Sequence, residues 1–292
     1  MITIIEKYSI KTALNDFKFL SNSINMKGTR TKRLVIDNDG NIAFFKYNGD
    51  GYCTSEICSE KMSYEIAKIL GYRCAKIELA KDEENTLGIL NYVFIKLGEE
   101  EHTDAGSYLN ISEKERENFY TISNIKRVLD SLDTSLFEEF IKVMVFDALV
   151  GEQDRHEDNW GITRIGNNYK FSPLYDNGCN LLNEFKNEEF AEKYYSGPRN
   201  FDSFISKSKT YIYTEDTHKR FKHFDLIKFL YKSYPEIVTK EINNLKKLTD
   251  DEIEAVVSKI PDDLLTSKHK EYIIIYLKKR RDLLFNIING VK

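Results

Sequence analysis

Proline is scarce in this chain, 4 of 292 residues, and glycine is modest at 14. Neither is concentrated anywhere, so a compact body without a long flexible joint is expected. The four cysteines, Cys53, Cys58, Cys74 and Cys179, form no CxxC pair and show no zinc-type spacing with the five histidines. Free thiols in a reducing cytoplasm are the expectation. No apolar run approaches the ~18 residues of a membrane span. The N-terminal "MITIIEKYSIKTALNDF" carries charges within its apolar part, unlike a secretory leader. A cytosolic location is therefore expected, although secretion without a cleaved signal would leave no mark. Positive charge is not in excess: 43 Lys and Arg face 47 Asp and Glu, for a net charge of −4. That argues against a large nucleic-acid footprint while leaving room for a local basic groove. A chain of this length makes one large domain or two packed lobes and needs no disulfide staples.

What is present divides in two. "RLVIDNDGNIAFFKY" reads as two strands, 33–36 and 42–47, joined by the turn-forming residues 37–41. In "SEICSEKMSYEIAKILGY", Ile57, Met62, Ile66, Ile69 and Leu70 make one helical stripe, and Gly71 is a natural stop. "CAKIELA" and "GILNYVFIKL" read as two further strands around a turn at 81–86. After Leu97 the texture changes. The polar "GEEEHTDAG" is the expected boundary between a β-rich lobe, 1–97, and a mostly helical lobe, 98–292. In the second lobe, "TSLFEEFIKVMVFDALVGEQD" is apolar on nearly every face and reads as a helix buried on all sides. "WGITRIGNNYKFSPLYD" reads as a hairpin turning at Gly166, Asn167 and Asn168. Two to four helices are expected to follow. The basic run 278–281 in the last of them reads as the solvated face of an amphipathic helix, or as a basic docking patch.

This order, an α+β chain with a β-rich lobe carrying one helix and then a helical lobe, is that of a bilobal protein-kinase-like fold. Phosphoryl transfer asks a protein mainly to position groups and neutralise charge. It needs a strand lysine for the phosphates, a helix carboxylate to hold that lysine, a carboxylate to orient the attacking hydroxyl, and oxygen ligands for magnesium. Candidates stand in that order. Lys46 closes the strand "IAFFKY", and Glu60 lies on the helix that follows. Asp154 opens the polar loop "DRHEDN", Asn159 comes five residues later, and Asp176 ends "FSPLYD". Taken singly, each is more often a surface lysine, a solvated helix residue or a turn former. Together and in this order they are hard to obtain by chance.

"DRHEDN" followed by "SPLYDNG", with "EKMSYEIAKILG" upstream, resembles the HipA-like kinases, over about 42–71 and 149–180. The resemblance implies a serine/threonine protein kinase using ATP and Mg²⁺, autophosphorylating, and of bacterial toxin or effector type. By that resemblance Asp154 is the catalytic base or hydroxyl-orienting group, Asn159 and Asp176 bind magnesium, and Lys46 pairs with the phosphates and with Glu60. His156 braces the loop and the metal aspartate. Phe94, Ile95 and Lys96 meet the adenine through backbone groups. The expected partner is a protein substrate, with no direct nucleic-acid contact and no membrane span; the sequence names neither the target nor an oligomeric state. HipA-type proteins carry an extra N-terminal subdomain, and a minimal kinase core is expected here instead.

The phosphate-covering loop falls in "SNSINMKGTRTKRL". It offers the single glycine Gly28 rather than a G-x-G-x-x-G run, with Lys27, Arg30, Lys32 and Arg33 adding charge. Ser21, Ser23, Thr29 and Thr31 on it are candidate autophosphorylation sites. Two other readings stand beside the kinase. One is a kinase-shaped nucleotide-binding module without transfer, motivated by that poor loop. The other is a phosphoinositide-like or small-molecule kinase, which shares the D-R-H-x-x-N pattern. The acidic stretch 184–197, with Tyr194, Tyr195 and Ser196, would repel a phosphoinositide headgroup and suits a basic peptide better. A zinc hydrolase lacks its second histidine at helical spacing, and a serine triad lacks its G-x-S-x-G elbow.

Overall fold

The computed structural model describes residues 6–13, 15–20, 32–48, 55–183 and 201–290. Gly28, the rest of 21–31, Cys53 and the acidic stretch 184–197 with Tyr194, Tyr195 and Ser196 lie outside them.

Six short strands form a curled sheet in the N-terminal part: β1 (Ile10–Thr12), β2 (Phe17–Phe19), β3 (Lys32–Asp37), β4 (Ile42–Tyr47), β5 (Ile77–Lys81) and β6 (Leu87–Tyr92), in the order β1-β5-β6-β4-β3-β2. Only the β1–β5 pairing is parallel. The β3–β4 turn closes because the Asp37 carboxylate accepts hydrogen bonds from the backbone N–H groups of Asp39 and Asn41, an Asx-type turn. Helix α1 (Ser55–Leu70) lies between β4 and β5 in the chain. It buries Ile57, Met62, Ile66 and Leu70 and stops at Gly71, whose φ of 72° suits a residue without a Cβ. On the other face of the sheet Phe17, Val35, Phe45 and Leu90 form a small separate core.

The strand expected to run on through Val93 ends at Tyr92, where Val93 N–H donates to Ile42 O. The polar stretch after Leu97 also differs from expectation. Its second half is β7 (Glu101–Asp104), which adds to the hairpin of β8 (Gly161–Ile165) and β9 (Asn168–Phe171). Cross-strand pairing wins there over a composition that reads as loop.

Helices dominate the rest: α2 (Ala105–Leu109), α3 (Arg116–Phe119), α4 (Ile122–Leu132) and α5 (Ser135–Val150) precede β8, and α6 (Phe201–Lys207) follows β9. A second hairpin, β10 (Lys209–Tyr213) with β11 (Arg220–Lys222), leads into α7 (His223–Ser233), α8 (Pro235–Asn244), α9 (Asp250–Ser258) and α10 (Ser267–Ile288). Five described helices thus follow β9, more than the two to four expected. Helix α5 is the hub, touching α4, α7, α8 and α10, and all its residues from Val143 to Val150 are buried. The basic run of α10 is only in part a solvated face: Lys278, Lys279 and Arg281 are half-buried and pair with Glu254, Asp202 and Asp250. Arg280 is fully buried and donates to Ala148 O, a C-terminal carbonyl of α5, and to Ile205 O. This is what a helix C-terminus asks of a cation. Among the described residues no helix is long and apolar enough to cross a membrane.

Candidate active site

A cleft between the sheet and the helical part holds a cavity of about 480 Å³, within the size range of small-molecule sites. Of the residues singled out in the sequence, Lys46, Asp154, His156, Asn159 and Asp176 line it, and Glu60 stands behind Lys46. Lys46, at the end of β4, is nearly buried. Its Nζ lies 2.7 Å from Glu60 Oε1 on α1, 2.6 Å from Asp176 Oδ1 and 3.7 Å from Glu56 Oε1. Burial opposes its charge, but Glu60 and Asp176 outweigh burial and raise its pKa. Glu60 is pushed up by its own burial, with Lys46 working against that. Asp176 sits at φ 53°, in the left-handed region. Asp tolerates that conformation better than most residues, and strained backbone of this kind gathers at functional sites. Burial would raise the Asp176 carboxyl, but Lys46 beside it brings it down to about 2.

Asp154 lines the same cavity. Burial raises its pKa, and His156 works in the opposite direction. Asn159 Nδ2 donates to Asp154 O at 2.7 Å, so the five-residue spacing closes the loop on itself. Lys32 also lines the cavity. It stands directly opposite Lys46 in the β3–β4 register, an arrangement that costs stability unless an anion lies between them. Arg33, the next residue, faces the other side of the sheet, as strand alternation requires. It bonds to Tyr47 OH and Glu83 and lies over the Phe19 ring, so its charge does not serve the cleft.

The loop is anchored by residues that sequence reasoning passed over. Arg155, buried, makes a two-point ion pair with Asp147 of α5 at 3.1 and 2.9 Å. It also donates to Asn159 O, Tyr175 O and Asn177 Oδ1. The tie between the loop and the aspartate strand is therefore Arg155, not His156. His156 Nδ1 accepts from Asp158 N–H, and its ring meets the edge of Tyr211. Asp147, the one charge within the buried stretch Val143–Val150 of α5, was the available signal.

Of the segment expected at the adenine, Phe94 stacks on Tyr175, which lines the cavity, and meets the His102 ring edge-on. No hydrogen bond among the described residues engages the backbone of Phe94 or Ile95. Lys96 is committed elsewhere: its N–H donates to Glu100 Oε2, and its carbonyl accepts from Glu99 and Glu100 N–H. Phe94, Ile95 and Lys96 do not line the cavity itself.

The profile of the HipA-like C-terminal domain matches residues 24–224. The chain belongs to that family. A serine/threonine-protein kinase of Helicobacter pylori, CtkA, is 22% identical over 174 residues, covering 56% of this chain and 52% of CtkA. This sequence match thus spans about half the length of its curated relative. The crystal structure of the proinflammatory kinase CtkA superposes with a TM-score of 0.81 at 18% identity, over 97% of this chain and 98% of CtkA. HipA of Shewanella oneidensis, from its toxin–antitoxin complex with HipB and operator DNA, gives 0.59 at 14% identity, over 92% of this chain and 67% of that one. The fold is that of the family's kinases, a curled N-terminal sheet over a helical body.

Proposed function

We propose that this chain is an ATP- and magnesium-dependent protein serine/threonine kinase, with the lobes meeting at the connection after Leu97. The observation that carries the reading is the single cluster formed by Lys46, Glu60, Asp154, Asn159 and Asp176 around one cleft. Among the described residues no set of three or more His, Cys, Asp or Glu is arranged to hold a metal alone. The oxygen donors Asn159 and Asp176 suit a magnesium ion that completes its shell with phosphate and water. Bound Mg-ATP supplies the phosphoryl group and the charge that neutralises it.

The protein's own residues do the rest. Lys46 and Lys32 hold the phosphates. Glu60 keeps Lys46 in place. Asn159, its Nδ2 engaged on Asp154 O, would hold the metal together with Asp176. Asp154 orients the substrate hydroxyl and takes its proton on the carboxylate, a task its raised pKa favours. A protein substrate and autophosphorylation belong to the same reading, as does a role as toxin or effector.

The test is incubation with labelled ATP and magnesium, wild type beside Asp154→Ala and Asp176→Ala. Label on wild-type protein alone supports the reading. Asp154→Ala is expected to lose ~10²–10⁴-fold in turnover while keeping nucleotide binding, and Asp176→Ala to lose magnesium-nucleotide binding. Nucleotide binding without transfer in the wild type would favour a binding module instead. Full activity in both variants would overturn the assignment.

A further inference from the structure

Glu152 has no part in the chemistry above, yet it is among the most buried carboxylates of the chain, 1% exposed, two residues before Asp154. Its side chain is placed by two donors. Oε1 accepts from Asp154 N–H at 2.9 Å and Oε2 from Asn180 Nδ2 at 3.0 Å. Its own backbone carbonyl accepts from His223 Nε2 of α7 at 2.7 Å, and its N–H donates to Asp147 O of α5. Asn180 is held in turn by α1. It exchanges hydrogen bonds with Ser63, and its carbonyl accepts from Ser59 Oγ. Ser59 and Ser63 flank Glu60, the partner of Lys46. A continuous polar path therefore runs from the helix that holds the phosphate lysine to the backbone of the catalytic aspartate.

We infer that Glu152 is a positioning residue for Asp154, tying the loop through Asn180 and Ser63 to helix α1, so that Asp154 is set only while α1 is docked. The inference rests on the kinase reading of the site. Both contacts of Glu152 come from donors, so the carboxylate suits both best; a proton on either oxygen weakens the contact made there. The charged and titratable groups facing it are Asp147 from α5, Arg155 and Asp154 from the loop, Cys179 beyond Gly178, and His223 from α7. Helix α1 reaches it through Asn180 with the uncharged Ser59 and Ser63. Burial pushes the Glu152 carboxyl up to about 8, with Arg155 opposing. Turnover is thus expected to rise with pH through that region as the clamp becomes charged.

The experiment compares wild type, Glu152→Gln and Ser63→Ala. Glu152→Gln sets an amide N–H against the Asn180 donor. It is expected to lower kcat about 10²-fold, the scale of an ångström's misplacement, with KM for ATP unchanged and the pH limb near 8 absent. Ser63→Ala, remote from the reacting atoms, is expected to lower kcat in the same direction by less, and it carries the kcat readout if Glu152→Gln does not fold. A second readout needs no activity. A carboxyl raised above its unfolded value gives stability at low pH that is lost as pH rises toward the folded value. The melting temperature of Glu152→Gln is therefore expected to gain on wild type from about pH 5 to about pH 9. Wild-type kcat and an unchanged pH limb in both variants would overturn the inference and leave the kinase reading standing. An inactive wild type would instead defeat the kinase reading, and with it the inference, whatever the melting curves show.

Discussion

Lys46 and Asp176 stand 130 residues apart in the chain and 2.6 Å apart in the cleft. The strand lysine thus bridges the α1 carboxylate Glu60 and Asp176. Under the proposed function, a phosphate at Lys46 and a metal at Asp176 would each compete with this contact.

Lys46→Met is expected to abolish labelling. It also strands Glu60 as a buried carboxylate without its cation, a change that costs about 3–5 kcal/mol when one partner of a buried pair is removed. Chemical denaturation beside the activity assay checks both effects. Double replacement with Glu60→Gln is expected to recover most of the stability and none of the activity. A Lys46→Met protein as stable as wild type would show that the pair is not buried as described.

Arg155→Lys keeps the charge and loses the geometry. A lysine cannot reproduce the two-point contact with Asp147 together with the bonds to Asn159 O, Tyr175 O and Asn177. A stability loss of roughly 3 kcal/mol is expected, with turnover falling further than nucleotide affinity. Denaturation and nucleotide titration measure the two; equal stability would count against Arg155 as the anchor.

His223 is expected to contribute to the loss of stability in acid. Burial, with Arg280 nearby, holds its pKa down to about 3. The unfolded chain takes up that proton near the usual histidine value and the folded one does not. Stability is therefore present above about pH 6.5 and lost as pH falls toward 3. His223→Gln, which does not titrate, is expected to flatten this fall in denaturation curves between pH 8 and pH 5. Parallel curves for the two proteins would exclude the assignment.

Gly178 marks how closely the "DNG" turn approaches α1. A Cβ there would lie 2.9 Å from Glu56 Cγ and 3.4 Å from Glu60 Cγ. Gly178→Ala is expected to wedge α1 away from the turn, raising KM for ATP with only a small change in melting temperature. A KM equal to wild type would show that the helix has slack at this point.

Much of the site was legible because its members sit at fixed short spacings. Asp154 and Asn159 lie on one loop, and Asp176 follows the hairpin that the Gly166–Asn167 turn signalled. The buried stripe of α1 and the all-round burial of α5 followed from periodicity. The anchors were not legible, because Asp147, Arg155, Glu152 and His223 meet only after α5, the loop and α7 have folded together. The segment expected at an adenine was harder to read for another reason: backbone groups carry no side-chain signature, and those of Lys96 are engaged in a local turn. Arg280 was misread because the basic run around it looks solvated, whereas its partners are carbonyls of α5 and α6.

One feature of the first strand bears on motion. Just before β1, Tyr8 N–H bonds to Lys259 O at 2.7 Å, and Lys7 reaches Ser258 O and Asp262 at the end of α9. Among the described residues, sheet and helical body are therefore joined through the connection after Tyr92 and again through this N-terminal strap. A third fastening follows α1, where Ala75 N–H donates to Leu174 O, Leu174 N–H to Arg73 O, and Asn244 Nδ2 to Leu70 O. With fastenings at three places, sliding or twisting of the sheet over the helices is resisted, and the cleft keeps its alignment.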